Sequence, residues 1–340
     1  MRVLLTGGTG YLGSNLARGL TAAGHEVTLL GRSRRRAEDL GLGGLSFAEG
    51  DVVERDRVAA AMRGHDAVVH AASVYSFDRR KVVEMERVNV TGTQIVLGEA
   101  VARGLDPAVH VSSTVAFLPG EGWATPDSPP GMPAAPYAAT KADSERVARA
   151  MQEQGLAVVS VSPGGIYGGD DPRFGEQYRF VHDLLGRRLP LLPRGGFHAV
   201  DVGDAVATVA AVLEPRRGPR RYIVPGHHLA PVDIARKLSR ITGRRLPTAS
   251  ASAGMLMPAA RLADRAQGRL SVRLPVSAEA LYITACNLHY DDSRARVELG
   301  VEPRPFEETL AGMVSRLLVE GRIRPREAGR LGEQSPRRPG

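Results

Sequence analysis

Apolar positions alternate between two rhythms in the first half of the chain. Short, largely apolar runs of strand length stand at Val3–Thr6, Glu26–Leu30, Ser46–Glu49, Ala67–Ala71, Val109–Ser112 and Ala157–Val161. Between them lie segments of helical periodicity: Tyr11–Ala23, closed by Gly24; Asp56–Met62; Val82–Arg103, closed by Gly104; and Tyr137–Gln154. Runs that are apolar throughout belong to strands covered on both faces, so the pattern predicts an α/β fold with a doubly wound parallel sheet. After Pro163 the rhythm changes to loops rich in Gly, Pro and Arg, with candidate helices at Phe174–Leu185, Val202–Leu213, Pro231–Thr242 and Phe306–Val319 and one more strand at Tyr222–Val224. The expected organisation is a sheet domain over 1–162, a smaller lobe over 163–321 with returns to the main sheet, and a disordered basic tail over 322–340.

Composition adds limits. The 340 residues are 43% hydrophobic and 24% charged, which excludes wholesale disorder, a collagen-like chain and a disulfide scaffold. Cys286 is the single cysteine, so no internal disulfide and no cysteine-based metal site is expected, in keeping with a reducing compartment. No apolar run reaches the roughly 18 residues that span a bilayer, and MRVLLTGGTG lacks the pattern of a signal peptide. The expectation is a soluble, cytoplasmic protein without a membrane partner.

The net charge of +8 raises nucleic acid as a partner, but its distribution weakens that reading. Six arginines against Glu327 and Glu333 put half of it into residues 322–340. Only three of the 45 basic residues are lysines, Lys81, Lys141 and Lys237, so a lysine carries more information here than an arginine.

Candidate chemistry begins at residues 3–13, VLLTGGTGYLG. Gly7 permits a tight turn, Gly10 lets backbone amides approach a pyrophosphate, and Gly13 allows close packing of helix on strand. A strand before and a helix after make this a Rossmann-type dinucleotide loop, with Tyr11 and Leu12 between its glycines. The second strand ends in LLGRSRRR, with Arg32 two residues on and no acid before Glu38. An arginine there suits a ribose 2′-phosphate, whereas a carboxylate suits a free 2′-hydroxyl, so NADP(H) is favoured and NAD(H) stays open. Asp51, in EGDVVERD, is placed to accept from an adenine amino group, or else to cap a helix.

PYAATKADSERVA sets Tyr137 and Lys141 one helical turn apart. A phenol with a pKa of about 10 is a poor base at neutral pH, and a neighbouring ammonium favours its ionised form. In VHVSST, Ser113 follows a strand end where its hydroxyl can donate to a carbonyl oxygen; Thr114 is the rival, and a turn capping its own backbone is the structural alternative.

With these residues the chain resembles the extended short-chain dehydrogenase/reductase superfamily, also called the NAD-dependent epimerase/dehydratase family, and within it the dihydroflavonol-reductase-like branch. The resemblance rests on TGGTGYLG (6–13), GDV (50–52), VVHAAS (68–73), RVNVTGT (87–93), HVSST (110–114), PYAATK (136–141), SPGGIYG (162–168), HAVDVGDAV (198–206) and YDDSRARVELG (290–300). It implies that Gly7, Gly10, Tyr11, Leu12, Gly13, Arg32, Asp51, Val52, Ala71, Ala72, Pro163 and Ile166 line the cofactor. It also implies that Asn89 is a structural asparagine near the site. Ser113, Tyr137 and Lys141 become the catalytic residues, Tyr137 and Lys141 also touching the cofactor.

The implied reaction is hydride transfer between the nicotinamide and a carbonyl or carbinol carbon, with Tyr137 as acid in reduction and base in oxidation. Substrate is less legible. The SPGGIYG turn runs into acidic Asp170 and Asp171, where a nucleoside-diphosphate site would be basic, and Thr114 and Val115 stand where dehydratases carry an Asp-Glu pair. The favoured reading is therefore an NADPH-dependent ketone or aldehyde reductase acting on a small or natural-product-like molecule. The alternative is a sugar or nucleotide-sugar epimerase that retains its cofactor. A non-catalytic dinucleotide sensor has no need of the three catalytic residues.

Among other conspicuous residues, His70 reads as a satisfied histidine of the interior. His227 and His228 lack a third metal ligand, and no metal is expected. His198 is a candidate to face substrate, Trp123 a candidate cover, and Asp201 a helix cap. The apolar stretch at 253–266 reads as a helix packed on its own lobe or on another subunit before a substrate wall. The resemblance implies that a homodimer can form through the helices of 82–103 and 137–154, and the sequence leaves the oligomeric state open.

Overall fold

The computed structural model describes residues 1–76, 78–267 and 277–333. Seven parallel strands form the main sheet, in the spatial order Arg220–Ile223, Val158–Ser162, Ala108–Val111, Ala67–His70, Arg2–Thr6, Glu26–Gly31 and Ser46–Glu49. The central strands are buried at every position, as two-sided covering demands. One face packs Leu5, Leu16, Leu20, Leu29 and Val109 with the helices Tyr11–Ala22 and Val202–Ala211. The other packs Leu4, Val68, Val96 and Ala148 with the helices ending at Ala102 and Glu153. The strand order reverses between Arg2–Thr6 and Ala67–His70, which opens a crevice at the carboxyl ends of these strands.

The chain crosses back into this sheet after residue 163: Arg220–Ile223 pairs with Val158–Ser162, and Val202–Ala211 covers the sheet beside the first helix. The rest of the second half builds a separate core around Tyr167, Leu184, Ile234, Phe306 and Met313. A small sheet there sets Phe197–Asp201 between Gly165–Tyr167, parallel, and His227–Leu229, antiparallel.

Three differences from the sequence reading have physical reasons. Val82–Arg103 is not one uniform α-helix: Glu86–Thr91 is π-helical between α-helical Val82–Met85 and Gly92–Ala102. The wider turn contains Asn89, a placement common at functional sites. The basic tail is folded as far as residue 333, with short helices at Pro325–Ala328 and Arg330–Glu333. Ile323 and Ala328 complete the second core, Arg322 lies 4.1 Å over the Phe174 ring, and residues 334–340 lie outside the described residues. Composition hid this because two apolar anchors suffice to dock an otherwise charged segment. Thirdly, Ala253–Gln267 is a helix as expected, but Met255 and Leu262 are exposed, so it is only partly packed on its own lobe. Among the described residues no helix is long and apolar enough to cross a membrane, and no group of His, Cys, Asp and Glu is arranged to hold a metal.

Candidate active site

The glycine turn meets its steric demands. Gly7 has φ +74°, and a Cβ on it would lie 2.6 Å from the Ala72 amide nitrogen. A Cβ on Gly13 would lie 2.0 Å from the Gly7 carbonyl oxygen. Thr6 Oγ1 accepts from the Ala72 amide at 3.2 Å, so Ala71 and Ala72 run directly against the loop. No side chain caps the helix that starts at Tyr11, and its first turn has no acid. The first-turn amides of Tyr11, Leu12 and Gly13 thus face the crevice at the positive end of a helix, which fits a dinucleotide pyrophosphate.

The side chains of Tyr11 and Leu12 have other tasks. Tyr11 donates its hydroxyl to the Gly168 carbonyl at 2.5 Å, and Leu12 packs against the sheet core. Asn15 donates to the Asp170 carbonyl at 3.0 Å. Together Tyr11 and Asn15 moor the loop after Ile166 onto the first helix.

Beside the end of the second strand lies a cavity of about 500 Å³ lined by Arg32, Glu49, Gly50, Asp51, Glu54 and Arg57. Asp51 lies 4.0 Å from Arg32 and 3.6 Å from Arg87. It does not cap the following helix, whose first residues it precedes; its carboxylate stands at the cavity wall instead. Val52 is buried in the core and is not part of the cavity lining. Arg173, which the sequence offers only as one of several second-lobe arginines able to bind phosphate, comes within electrostatic reach of Arg32 and Arg36. Its guanidinium is held below its usual range by burial and by the charges of Arg36 and Arg32.

The Tyr137 residue opens the Pro136–Glu153 helix. Lys141, one turn on, is buried and donates to the Val111 carbonyl at 2.8 Å, two residues before Ser113. This bond ties the helix to the strand end. Burial lowers the Lys141 pKa to about 8, against a weaker opposing pull from the Glu145 carboxylate. Tyr137 is pushed the other way, above its ordinary value, by burial and by the Glu279 carboxylate. Tyr75 packs edge-on against the Tyr137 ring, with centroids 4.7 Å apart.

Ser113 caps the short turn Thr114–Phe117, its Oγ accepting from the Val115 amide at 3.4 Å. That long bond uses a lone pair and leaves the hydroxyl proton for another acceptor. Thr114 is fixed through its backbone, its amide donating to Pro163 at 2.9 Å and its carbonyl accepting from the Tyr290 hydroxyl at 3.0 Å. Pro163 is therefore locked beside the Ser113 turn, while Ile166 packs on the sheet core.

Asn89 organises this region. Its amide nitrogen donates to Thr140 Oγ1 at 3.0 Å and to the Val74 carbonyl at 3.1 Å, while its oxygen accepts from the Val74 amide at 2.7 Å and from Ser73 Oγ at 3.1 Å. It joins the loop after the fourth strand to the Tyr137 helix. His70 is bonded at both nitrogens, to Thr6 at 2.8 Å and Thr93 at 3.1 Å, and burial lowers its pKa to about 3. His198 is buried and bonded to the Val224 carbonyl, so it supports the Gly164 turn from below. Trp123 is exposed and lies against His289, 5.0 Å between centroids. Asp201 caps its helix at the Gly203 amide.

Comparison with known proteins agrees with this architecture. A profile described as NAD dependent epimerase/dehydratase family matches residues 3–224. The chain belongs to that family. It is 30% identical to the sterol demethylase protein B of Methylococcus capsulatus over 95% of this chain and all of that protein. It is 29% identical to a 4-hydroxy-2-methyl-3-oxo-4-farnesyl-3,4-dihydroquinoline-1-oxide ketoreductase of Stigmatella aurantiaca over 89% of this chain and 92% of that one. The crystal structure of gox2253 superposes with a TM-score of 0.77 at 25% identity, covering 95% of this chain and 99% of that one. Members of this extended short-chain dehydrogenase/reductase family are NAD(P)-dependent oxidoreductases, dehydratases or epimerases, and the chain is an enzyme of this kind, with a nicotinamide cofactor.

Proposed function

We propose that the protein is an NADPH-dependent reductase of ketones or aldehydes. The observation that carries this is the arginine group at the adenosine end: Arg32 and Arg36 follow the second strand, and Arg173 joins them electrostatically from the other lobe. Three guanidiniums in this neighbourhood, with Asp51 paired only loosely to Arg32 and Arg87, suit a 2′-phosphate. A reductase exchanges its cofactor at each turnover, so discrimination at that phosphate serves a reductase better than an enzyme that retains its cofactor.

The bound cofactor would supply the hydride. Ser113 would hold the substrate carbonyl oxygen by its free hydroxyl proton, Tyr137 would deliver the proton to that oxygen, and Lys141 would orient the cofactor ribose and favour the developing phenolate. Thr114 and Val115 follow Ser113 with no carboxylate for elimination chemistry. Relatives named as a ketoreductase, a 2-alkyl-3-oxoalkanoate reductase and a putative dihydroflavonol 4-reductase support ketone reduction on a natural-product-like substrate. A cytoplasmic homodimer is the setting this reading assumes. The second reading, an epimerase with retained NAD(P), is favoured by Asp51, whose approach to Arg32 partly neutralises that arginine.

Paired dissociation constants for NADPH and NADH on cofactor-stripped protein separate the two. NADPH is expected to bind at least about tenfold more tightly, as charge-assisted bonds to the phosphate imply, and Arg32→Ala to erase most of the preference. Tight NADH binding that ignores Arg32 would instead place the epimerase first.

A further inference from the structure

The Tyr137 helix begins without a cap of its own. Ala135 at the cap position offers no side-chain acceptor, and Pro136 fills the first helical position. The next two amides belong to Tyr137 and Ala138, and both are met by one carboxylate from the second lobe, Glu279. Glu279 Oε1 accepts from the Ala138 amide at 3.2 Å across 141 residues of sequence. The residue is only 8% exposed and opens the helix Ala278–Cys286. That helix is itself anchored: Ser277 caps it at the Ala280 amide, and Asp264 accepts from the Ala278 amide at 3.2 Å. Its far side packs Tyr282, Ile283 and Cys286 against Phe117 and Leu118, in the segment that follows Ser113. One element of the second lobe therefore grips both the start of the Tyr137 helix and the Ser113 turn.

A carboxylate at a helix start is stabilised by the exposed amides and by the helix dipole, and it fixes the geometry of the first turn. Here that turn carries the phenol, and a negative charge beside a phenol disfavours its ionisation. We propose that Glu279 is a positioning residue for Tyr137: from the opposite lobe its carboxylate holds the first turn of the Tyr137 helix, and with it the phenol, in place. This rests on the reductase reading for its consequence in turnover, but the contact and its effect on Tyr137 stand apart from any substrate.

The charged and titratable groups facing this pair are few. Asp264 raises the Glu279 pKa, Tyr137 and Tyr75 feel the Glu279 charge, and Glu176 acts on Tyr75. Among the described residues no cation lies within ion-pair distance of Glu279. Burial pushes its pKa up to about 7 against the pull of the two amides. The cap thus gains its charge as pH rises through neutrality.

The test uses the full chain labelled with 13C at tyrosine Cζ, with the Tyr137 resonance identified by its loss in Tyr137→Phe. In the wild type this resonance should move with a midpoint near pH 7 as Glu279 ionises, and Glu279→Gln should abolish the step. In ketone reduction, the dependence of kcat on pH around the same midpoint should be lost in Glu279→Gln. Glu279→Ala, which removes the acceptor as well, should lower kcat by about tenfold or more, with Glu279→Gln restoring most of it at pH 7. A Tyr137 resonance flat between pH 5.5 and 8.5, or a step that survives in Glu279→Gln, overturns the proposal. If the resonance behaves as expected and no carbonyl compound is turned over, the positioning role stands and the reductase reading falls.

Discussion

Tyr137→Phe is expected to lower kcat for carbonyl reduction by about a thousandfold while leaving the cofactor dissociation constant within about tenfold of wild type. The substitution removes one oxygen and keeps the ring, so the edge-on packing with Tyr75 survives. What is lost is the acid. The phenol is protonated at neutral pH, and burial and the Glu279 charge hold it further above its ordinary pKa in the free protein. Lys141, fixed on the Val111 carbonyl, then favours the phenolate that forms as the proton leaves. Ser113 cannot replace it, being too weak an acid to protonate an alkoxide unaided. NADPH consumption with a ketone or aldehyde that supports turnover gives the rate, and fluorescence titration gives the cofactor affinity. A loss below about tenfold in kcat would remove Tyr137 from the proton-transfer step.

The second large effect concerns stability. Arg149→Met is expected to destabilise the fold by about 3–5 kcal/mol, which for a chain of this size lowers Tm by roughly 4–7 °C. Arg149 and Glu145 lie on the Tyr137 helix, with side chains 9% and 1% exposed. Arg149 Nε donates to Glu145 Oε1 at 3.0 Å, and Nη2 donates to the Pro126 carbonyl at 2.8 Å. The other oxygen of Glu145 has no hydrogen bond among the described residues. His110, 3.9 Å away, is held well below its usual pKa by burial and by Lys141, so it is neutral and offers no opposing charge. Removing the guanidinium leaves the buried carboxylate without its hydrogen-bonded partner, and Lys141, one turn away and bonded to the Val111 carbonyl, only partly offsets its charge. The double variant Glu145→Gln with Arg149→Met should recover a substantial part of the loss, because the stranded charge is gone. Denaturant unfolding of the wild type, both single variants and the double variant decides it. A single-variant loss below about 1 kcal/mol, or a double variant no more stable than Arg149→Met, would show that the pair contributes little.

Much of the sheet was legible because its signals are local. A strand buried on both faces is largely apolar, and the central strands Ala67–His70, Ala108–Val111 and Val158–Ser162 announce themselves in this way. Helix limits followed from periodicity, with Pro231–Thr242 and Phe306–Val319 matching at both ends. Elements that lack such a signal were missed. Arg34–Asp39 and Ser293–Leu299 are short and charged, so their composition reads as surface loop. The π-helical turn at Asn89 was invisible because its sequence satisfies an ordinary helix equally well. The tail was read from its arginines, while Ile323 and Ala328 decided its placement.

The sequence by itself determined the parts of the site that are built within one βα unit. Gly7, Gly10 and Gly13 are required by a turn three residues wide, and Tyr137 and Lys141 share a helix face through a spacing of four. Such constraints act over a few residues, so the residues carry them directly. The tertiary structure alone decided the features that join distant segments: Arg173 beside Arg32 and Arg36, Tyr290 on Thr114, and Glu279 on the amides of Tyr137 and Ala138. In each case a charged or polar side chain far along the chain is indistinguishable, in sequence, from a solvated one. Its meaning comes from burial and from the partner that folding places opposite it, and desolvation then turns an ordinary carboxylate or guanidinium into a specific contact.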